Sequence, residues 1–129
     1  MHTSEGPAAP GWFRRRLLSF AYAGRGIAHL VREPNARIHL VATALVIVLA
    51  AALRVSLLEW AVLVLAIGLV LAAESLNTAL EHLANAAVPS QHVLVGSAKD
   101  LGAGAVLVAA LAAACIGALV LGPHLWCAF

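Results

Sequence analysis

"WAVLVLAIGLVL", residues 60–71, runs almost directly into "AESLNTALEH", residues 73–82. The first segment carries no charge; the second carries Glu74, Asn77, Glu81 and His82 within nine positions. Continuous apolarity followed by helix-compatible polar spacing predicts one long helix, oily in its first half and polar along one side of its second. A helix turns about 100° per residue. Relative to Glu74, Asn77 falls near −60°, Glu81 near −20°, Asn85 near +20° and Thr78 near +40°, so all five share one face by the same arithmetic. Leu76, Leu80 and Leu83 fall opposite. A helix emerging from a membrane needs a water-facing side, which accounts for His82 and Asn85. It accounts poorly for Glu74, which has apolar turns on both sides. A charge at the bilayer centre costs roughly 2.5–3.5 kcal/mol on insertion scales, and a glutamine would avoid most of that cost.

The rest of the chain agrees with a membrane setting. Of 129 residues, 63% are hydrophobic and 11% charged, against about 45–50% and 25% in soluble domains. The length suits one domain. A net charge of +2 gives no case for nucleic acid. The basic residues crowd into the first third, as "RRR" at 14–16 and then Arg25, Arg32 and Arg37. That asymmetry places the N-terminus in the cytoplasm. No apolar core follows the first basic residues in the manner of a secretory signal. Cys115 and Cys127 lack metal-ligand spacing and read as packing or lipid-facing residues.

Four helices are expected. Residues 1–11 form a Pro/Gly/Ala-rich tail. Residues 12–32 mix Phe13, Leu17, Phe20, Tyr22, Ile27 and Leu30 with arginines, the pattern of an amphipathic helix on a membrane surface. "REPN" breaks that pattern, and its proline suits the first turn of a new helix. Three spans follow, at 35–53, 57–87 and 95–121, and residues 123–129 form a C-terminal tail. The last span is rich in Ala and Gly, which lets helix backbones approach closely in lipid. The fold class is all-α integral membrane: a surface helix plus three transmembrane helices, in a compact bundle or an oligomer. Three spans put the N-terminus and the 82–99 connection in the cytoplasm, and the 54–59 turn and the C-terminus outside.

The polar residues gather on that cytoplasmic side. Lys99 and Asp100 open the third span near the depth of Glu81, and Glu33 stands at the same interface. Each has a plain alternative: an interfacial anchor with its counter-ion for the pair, and a helix N-terminal charge favoured by the dipole for Glu33. Together they suit another chemistry. Mg²⁺ takes one or two carboxylates plus substrate phosphates; lysine and arginine suit phosphate oxygens. Phosphoryl transfer needs positioning and charge neutralisation more than covalent chemistry, and a carboxylate such as Glu74 can accept a hydroxyl proton. The chain has no GxxxxGK[ST] loop and no kinase-type glycine loop.

"AESLNTALEHLANAA" followed by "HVLVGSAKDLGAGAVLVAA" resembles the signature of the prokaryotic diacylglycerol kinase family, Glu-x-x-Asn-[Thr/Ser]-Ala-[Ile/Leu]-Glu with a later Ala-Lys-Asp. "SFAYAGRGIAHLVREPNARIHL" resembles its surface helix and first span, and "AGRGI", "RIHL" and "NTALEH" look closest to its undecaprenol kinase branch. The resemblance covers about residues 12–122. It implies a homotrimeric lipid kinase of the bacterial inner membrane, with sites shared between subunits, using MgATP to phosphorylate a lipid alcohol. Undecaprenol is the favoured acceptor and diacylglycerol the alternative. It further implies Glu74 as base for the lipid hydroxyl, Glu33 and Glu81 as metal ligands, and Asn77, Lys99 and Asp100 as ATP-site residues. Arg15 and Tyr22 correspond to surface-helix positions near nucleotide, Arg15 also near lipid; Ser90, Gln91 and His92 align with a turn that touches ATP.

Two departures stand out: Asn85 replaces the family's usual Asp, and the stretch before Glu33 is one residue short. The rivals are a small proton-coupled transporter, which predicts four spans and a lone buried carboxylate, and a non-catalytic membrane subunit, which leaves Glu74 unexplained.

Overall fold

The computed structural model describes residues 11–88, 90 and 92–128. It is all-helical over them: α1 (Trp12–Leu30), α2 (Pro34–Ala52), α3 (Leu57–Ala87) and α4 (Val93–Ala128). The last three are long and apolar enough to cross a membrane. At 1.5 Å per residue, α2 is about 28 Å long, matching the hydrocarbon, while α3 at about 46 Å and α4 at about 54 Å exceed it. An overhang of some ten residues on α3 carries the polar face.

Local chemistry sets the boundaries. Glu33 takes an extended conformation (φ −71°, ψ 132°) and Pro34 opens α2, as the restriction on residues before proline requires. The α2–α3 turn is a Schellman motif. Arg54 N–H donates to Ala51 O and Val55 N–H to Ala50 O. Arg54 occupies the left-handed position with φ 54°, where glycine is the usual residue. The apolar Val55 folds back and is buried. Ser56 and Glu59 then start α3 with a reciprocal capping box, Ser56 N–H to Glu59 Oε2 at 2.7 Å and Glu59 N–H to Ser56 Oγ at 3.3 Å.

α3 and α4 form the principal antiparallel pair. Lys99 meets Asn85 at one end, and His124 Nε2 lies 3.7 Å from Glu59 Oε2 at the other. α2 packs against both. The buried core is small; its main cluster sits at the Schellman end, where Ala50, Val55, Leu63 and Leu121 pack with Trp60 and Ile116, and small side chains such as Ala36, Ala66 and Ala109 are buried further along the helices. Large apolar side chains elsewhere, including Ile38, Val48, Leu65, Leu107 and Val108, are exposed, the surface a bundle presents to lipid or to further helices.

Several boundaries differ from the sequence reading: α2 is shifted by one residue and α4 starts two residues earlier, at Val93. α1 ends at Leu30, short of residue 32. α4 continues through Gly122 and Pro123 to Ala128, so most of the segment set apart as a tail is helical. Pro123 removes one backbone donor, yet the helix continues through it. The turn is held by buried Leu121, by the His124 ring on Val120 O at 2.9 Å, and by the Glu59 contact.

Candidate active site

The polar face of α3 forms a gradient of exposure. Glu74 is 2% exposed and Asn77 7%, Glu81 is half-buried, and Asn85 is exposed. Glu74 stands within the last apolar turns, and its side chain makes no hydrogen bond or ion pair among the described residues. A carboxyl-bearing side chain so shielded from water is a cost that packing does not explain. One turn on, Asn77 Nδ2 donates to Glu81 Oε1 at 3.1 Å. One oxygen of Glu81 is therefore anchored from within its own helix, which fixes the direction of the carboxylate. Asn77 Oδ1 is buried without a partner among the described residues.

α4 supplies the cation. Lys99 Nζ donates to Asn85 Oδ1 at 2.6 Å. Ser90, His92 and Gly96 join these two residues around a cavity of about 500 Å³ between the end of α3 and the start of α4. The His92 ring accepts from Leu94 N–H at 3.3 Å, so the histidine is tied to the first turn of α4. Ammonium, hydroxyl, imidazole and a helix N-terminus around one cavity form an anion-favouring environment.

Glu33 arrives from the α1–α2 junction. Its Oε1 lies 3.5 Å from His82 Nε2, beside Glu81 in sequence, so the first turn of α2 is tied to the polar end of α3. The carboxylates of Glu33 and Glu81 therefore reach the same end of the bundle. Among the described residues no group of three His, Cys, Asp or Glu side chains forms a metal cage.

Other expected residues stay apart from this line within one chain. Asp100 turns to the opposite flank of the α3–α4 pair, onto an open groove with Ser97, Leu69, Ala73, Gly104 and Val108. Arg15 and Tyr22 sit on the exposed surface of α1. The Tyr22 ring carries the Arg25 guanidinium at 4.8 Å. The groove between α1 and α3 is lined by Ala23, Gly26, His29, Leu30, Ser75, Thr78 and His82; neither Arg15 nor Tyr22 lines it. Gln91 lies outside the described residues. Sequence reasoning missed the pairing of Glu33 with His82 and of Asn85 with Lys99. It also missed the approach of Gly102 to Asn77, because a glycine in an Ala/Gly-rich run reads as general helix packing.

Comparison with known proteins completes the picture. The prokaryotic diacylglycerol kinase family profile matches residues 21–121. The chain is 39% identical over 112 residues to the undecaprenol kinase of Bacillus subtilis (strain 168), covering 86% of this chain and 91% of that one. It is 42% identical over 111 residues to a diacylglycerol kinase of Synechocystis, covering 84% of this chain and 63% of that one. It is 32% identical over 113 residues to the diacylglycerol kinase of Escherichia coli (strain K12), covering 87% and 93%.

Proposed function

The chain belongs to the prokaryotic diacylglycerol kinase family and is a phosphotransferase with an alcohol acceptor; we propose that it moves the γ-phosphate of ATP, delivered with Mg²⁺, to the hydroxyl of a membrane lipid alcohol. The observation that carries this reading is the exposure gradient along α3, from buried Glu74 to the Lys99–Asn85 cavity. A lipid hydroxyl meets the buried end and a water-soluble phosphate donor meets the other. Undecaprenol is the favoured acceptor, by the similarity to the Bacillus enzyme, and diacylglycerol the alternative.

The residues divide the work. Glu74 accepts the proton of the lipid hydroxyl as its oxygen attacks the γ-phosphorus and the bond to the β-phosphate oxygen breaks. Lys99 neutralises donor phosphate charge, and Ser90, Gln91 and His92 border the donor. Asn77 holds Glu81. Glu81 and Glu33 would hold Mg²⁺. Two carboxylates without a third suit a metal that arrives with its remaining ligands as phosphate oxygens. When bound, the ion supplies charge neutralisation on the transferring group.

Location and assembly follow. α1 lies in the interface, with Phe13, Leu17, Phe20 and Ile27 on one face and Arg14, Arg15, Tyr22 and Arg25 on the other by helical arithmetic. The N-terminus and the site are cytoplasmic and the C-terminus external, in the inner membrane of a bacterium. The active form is a homotrimer, in which Asp100, Arg15 and Tyr22 reach a neighbour's site.

The test is transfer from labelled ATP by purified protein in lipid micelles with Mg²⁺, against undecaprenol and diacylglycerol side by side. Transfer to one or both is expected, faster to undecaprenol. No transfer to either would sink the proposal.

A further inference from the structure

α4 makes room for a side chain of α3 where one of its own is missing. A Cβ at Gly102 of α4 would overlap Asn77 Oδ1, and would stand 3.2 Å from Leu80 Cδ2 and 3.4 Å from Asn77 Cγ. At Gly96 and Gly104 on the same helix, a Cβ would meet nothing within 4 Å. No described glycine has positive φ, so the backbone conformation does not call for glycine at 102. The space does, and the group occupying that space is the Asn77 amide.

The orientation of that amide is fixed by its other end. A carboxylate only accepts hydrogen bonds, so the Asn77 nitrogen must face Glu81, as it does at 3.1 Å. The carbonyl end is then forced toward α4, where Oδ1 is buried without a hydrogen-bond partner among the described residues. Asn77 accepts an unsatisfied oxygen in order to hold Glu81, and it can do so only because position 102 is empty.

We propose that Gly102 is a positioning residue for the phosphate-donor site: its missing side chain admits the Asn77 amide between the helices and so sets the direction of the Glu81 carboxylate. The proposal rests on the reading of Glu81 as the carboxylate that meets the metal of the donor. Groups that orient a ligand from behind typically change metal affinity by roughly 10–100-fold when removed.

Four proteins decide it: wild type, Gly102→Ala, Asn77→Ala and the double variant, in detergent micelles. Two readouts are taken without turnover: thermal unfolding in the absence of nucleotide, and binding of Mn²⁺ with ATP by electron paramagnetic resonance of the manganese. Gly102→Ala is expected to lower the melting temperature and to weaken Mn²⁺·ATP binding roughly 10–100-fold. Asn77→Ala is expected to weaken binding comparably. In the double variant the melting temperature recovers, because the clash has gone, and binding is no weaker than in either single variant. If Gly102→Ala alone does not fold, a folded double variant supports the proposal and an unfolded one overturns it. Wild-type-like binding by Gly102→Ala overturns it, as do binding losses that add in the double variant. A wild type that binds no Mn²⁺·ATP would instead overturn the donor-site reading beneath it.

Discussion

At the scale of single residues, the sequence was most legible where chemistry and environment disagree. Glu74 could be singled out because a carboxylate among apolar turns is costly, and the structure buries it to 2% exposure. Replacing it with glutamine should lower turnover by roughly 10²–10⁴, the usual contribution of a general base, while the melting temperature holds because the amide keeps the shape of the buried side chain. Turnover near wild type on a lipid-kinase assay would remove Glu74 as the base. Asn85 is the opposite case: its departure from the family pattern was visible, its partner was not. It offers Lys99 a neutral acceptor at 2.6 Å, which holds the ammonium without cancelling its charge. Asn85→Asp would turn this contact into an ion pair and add negative charge beside the donor cavity. KM for ATP should rise roughly 3–10-fold with kcat little changed, since about 1 kcal/mol is the scale of such a charge a few ångströms away in water. An unchanged or lower KM would show that the charge on this side chain does not reach the donor. Pairings such as Lys99 with Asn85 could not be read from the chain because they depend on helix register across the α3–α4 turn, which spacing alone does not set.

At the scale of elements, helix starts and stops were readable where a local motif and the tertiary context agree. Pro34 opened α2 as expected, whereas the Ser56–Glu59 box that starts α3 lay unread in the 54–59 turn. The end of α4 was misread because Gly122–Pro123 is a local stop that contacts on two neighbouring helices override. The α2–α3 turn carries a measurable consequence of this kind. Arg54 holds the left-handed C′ position of a Schellman motif with φ 54°, and a non-glycine residue there costs on the order of 1 kcal/mol. Arg54→Gly should therefore raise stability by about 0.5–1 kcal/mol, read as a later midpoint in denaturant titration of the protein in micelles. The capping residue gives the reverse sign: Ser56→Ala should lower stability by about 1 kcal/mol. A destabilising Arg54→Gly would mean that the arginine side chain makes a contribution larger than its backbone cost.

At the scale of the whole molecule, the sequence could not tell lipid-facing from protein-facing surface, because in hydrocarbon both are built from Ala, Leu and Val. The same ambiguity persists in one chain of the structure, which leaves Leu65, Leu107 and Val108 exposed and buries few large apolar side chains. The placement of Asp100 bears on it directly. Within a chain, Asp100 opens onto the flank groove beside Leu69 and Ala73, whereas Lys99, one residue away, faces the Asn85 cavity. Adjacent residues on a helix point about 100° apart, and within one chain α4 turns the two onto different hollows. If both serve the donor, Asp100 serves it in a neighbouring copy, a head-to-tail arrangement that closes into a ring. Co-expression separates the alternatives. Glu74→Gln chains and Asp100→Asn chains should each be inactive alone. Mixed in equal amounts, they should recover up to about a quarter of wild-type activity, because about one site in four in a heterologous ring pairs an intact Glu74 with an intact Asp100 from the next chain. Activity that stays at the level of the single variants would place both groups in one chain's site, and would require α4 to turn relative to α3 when the donor binds.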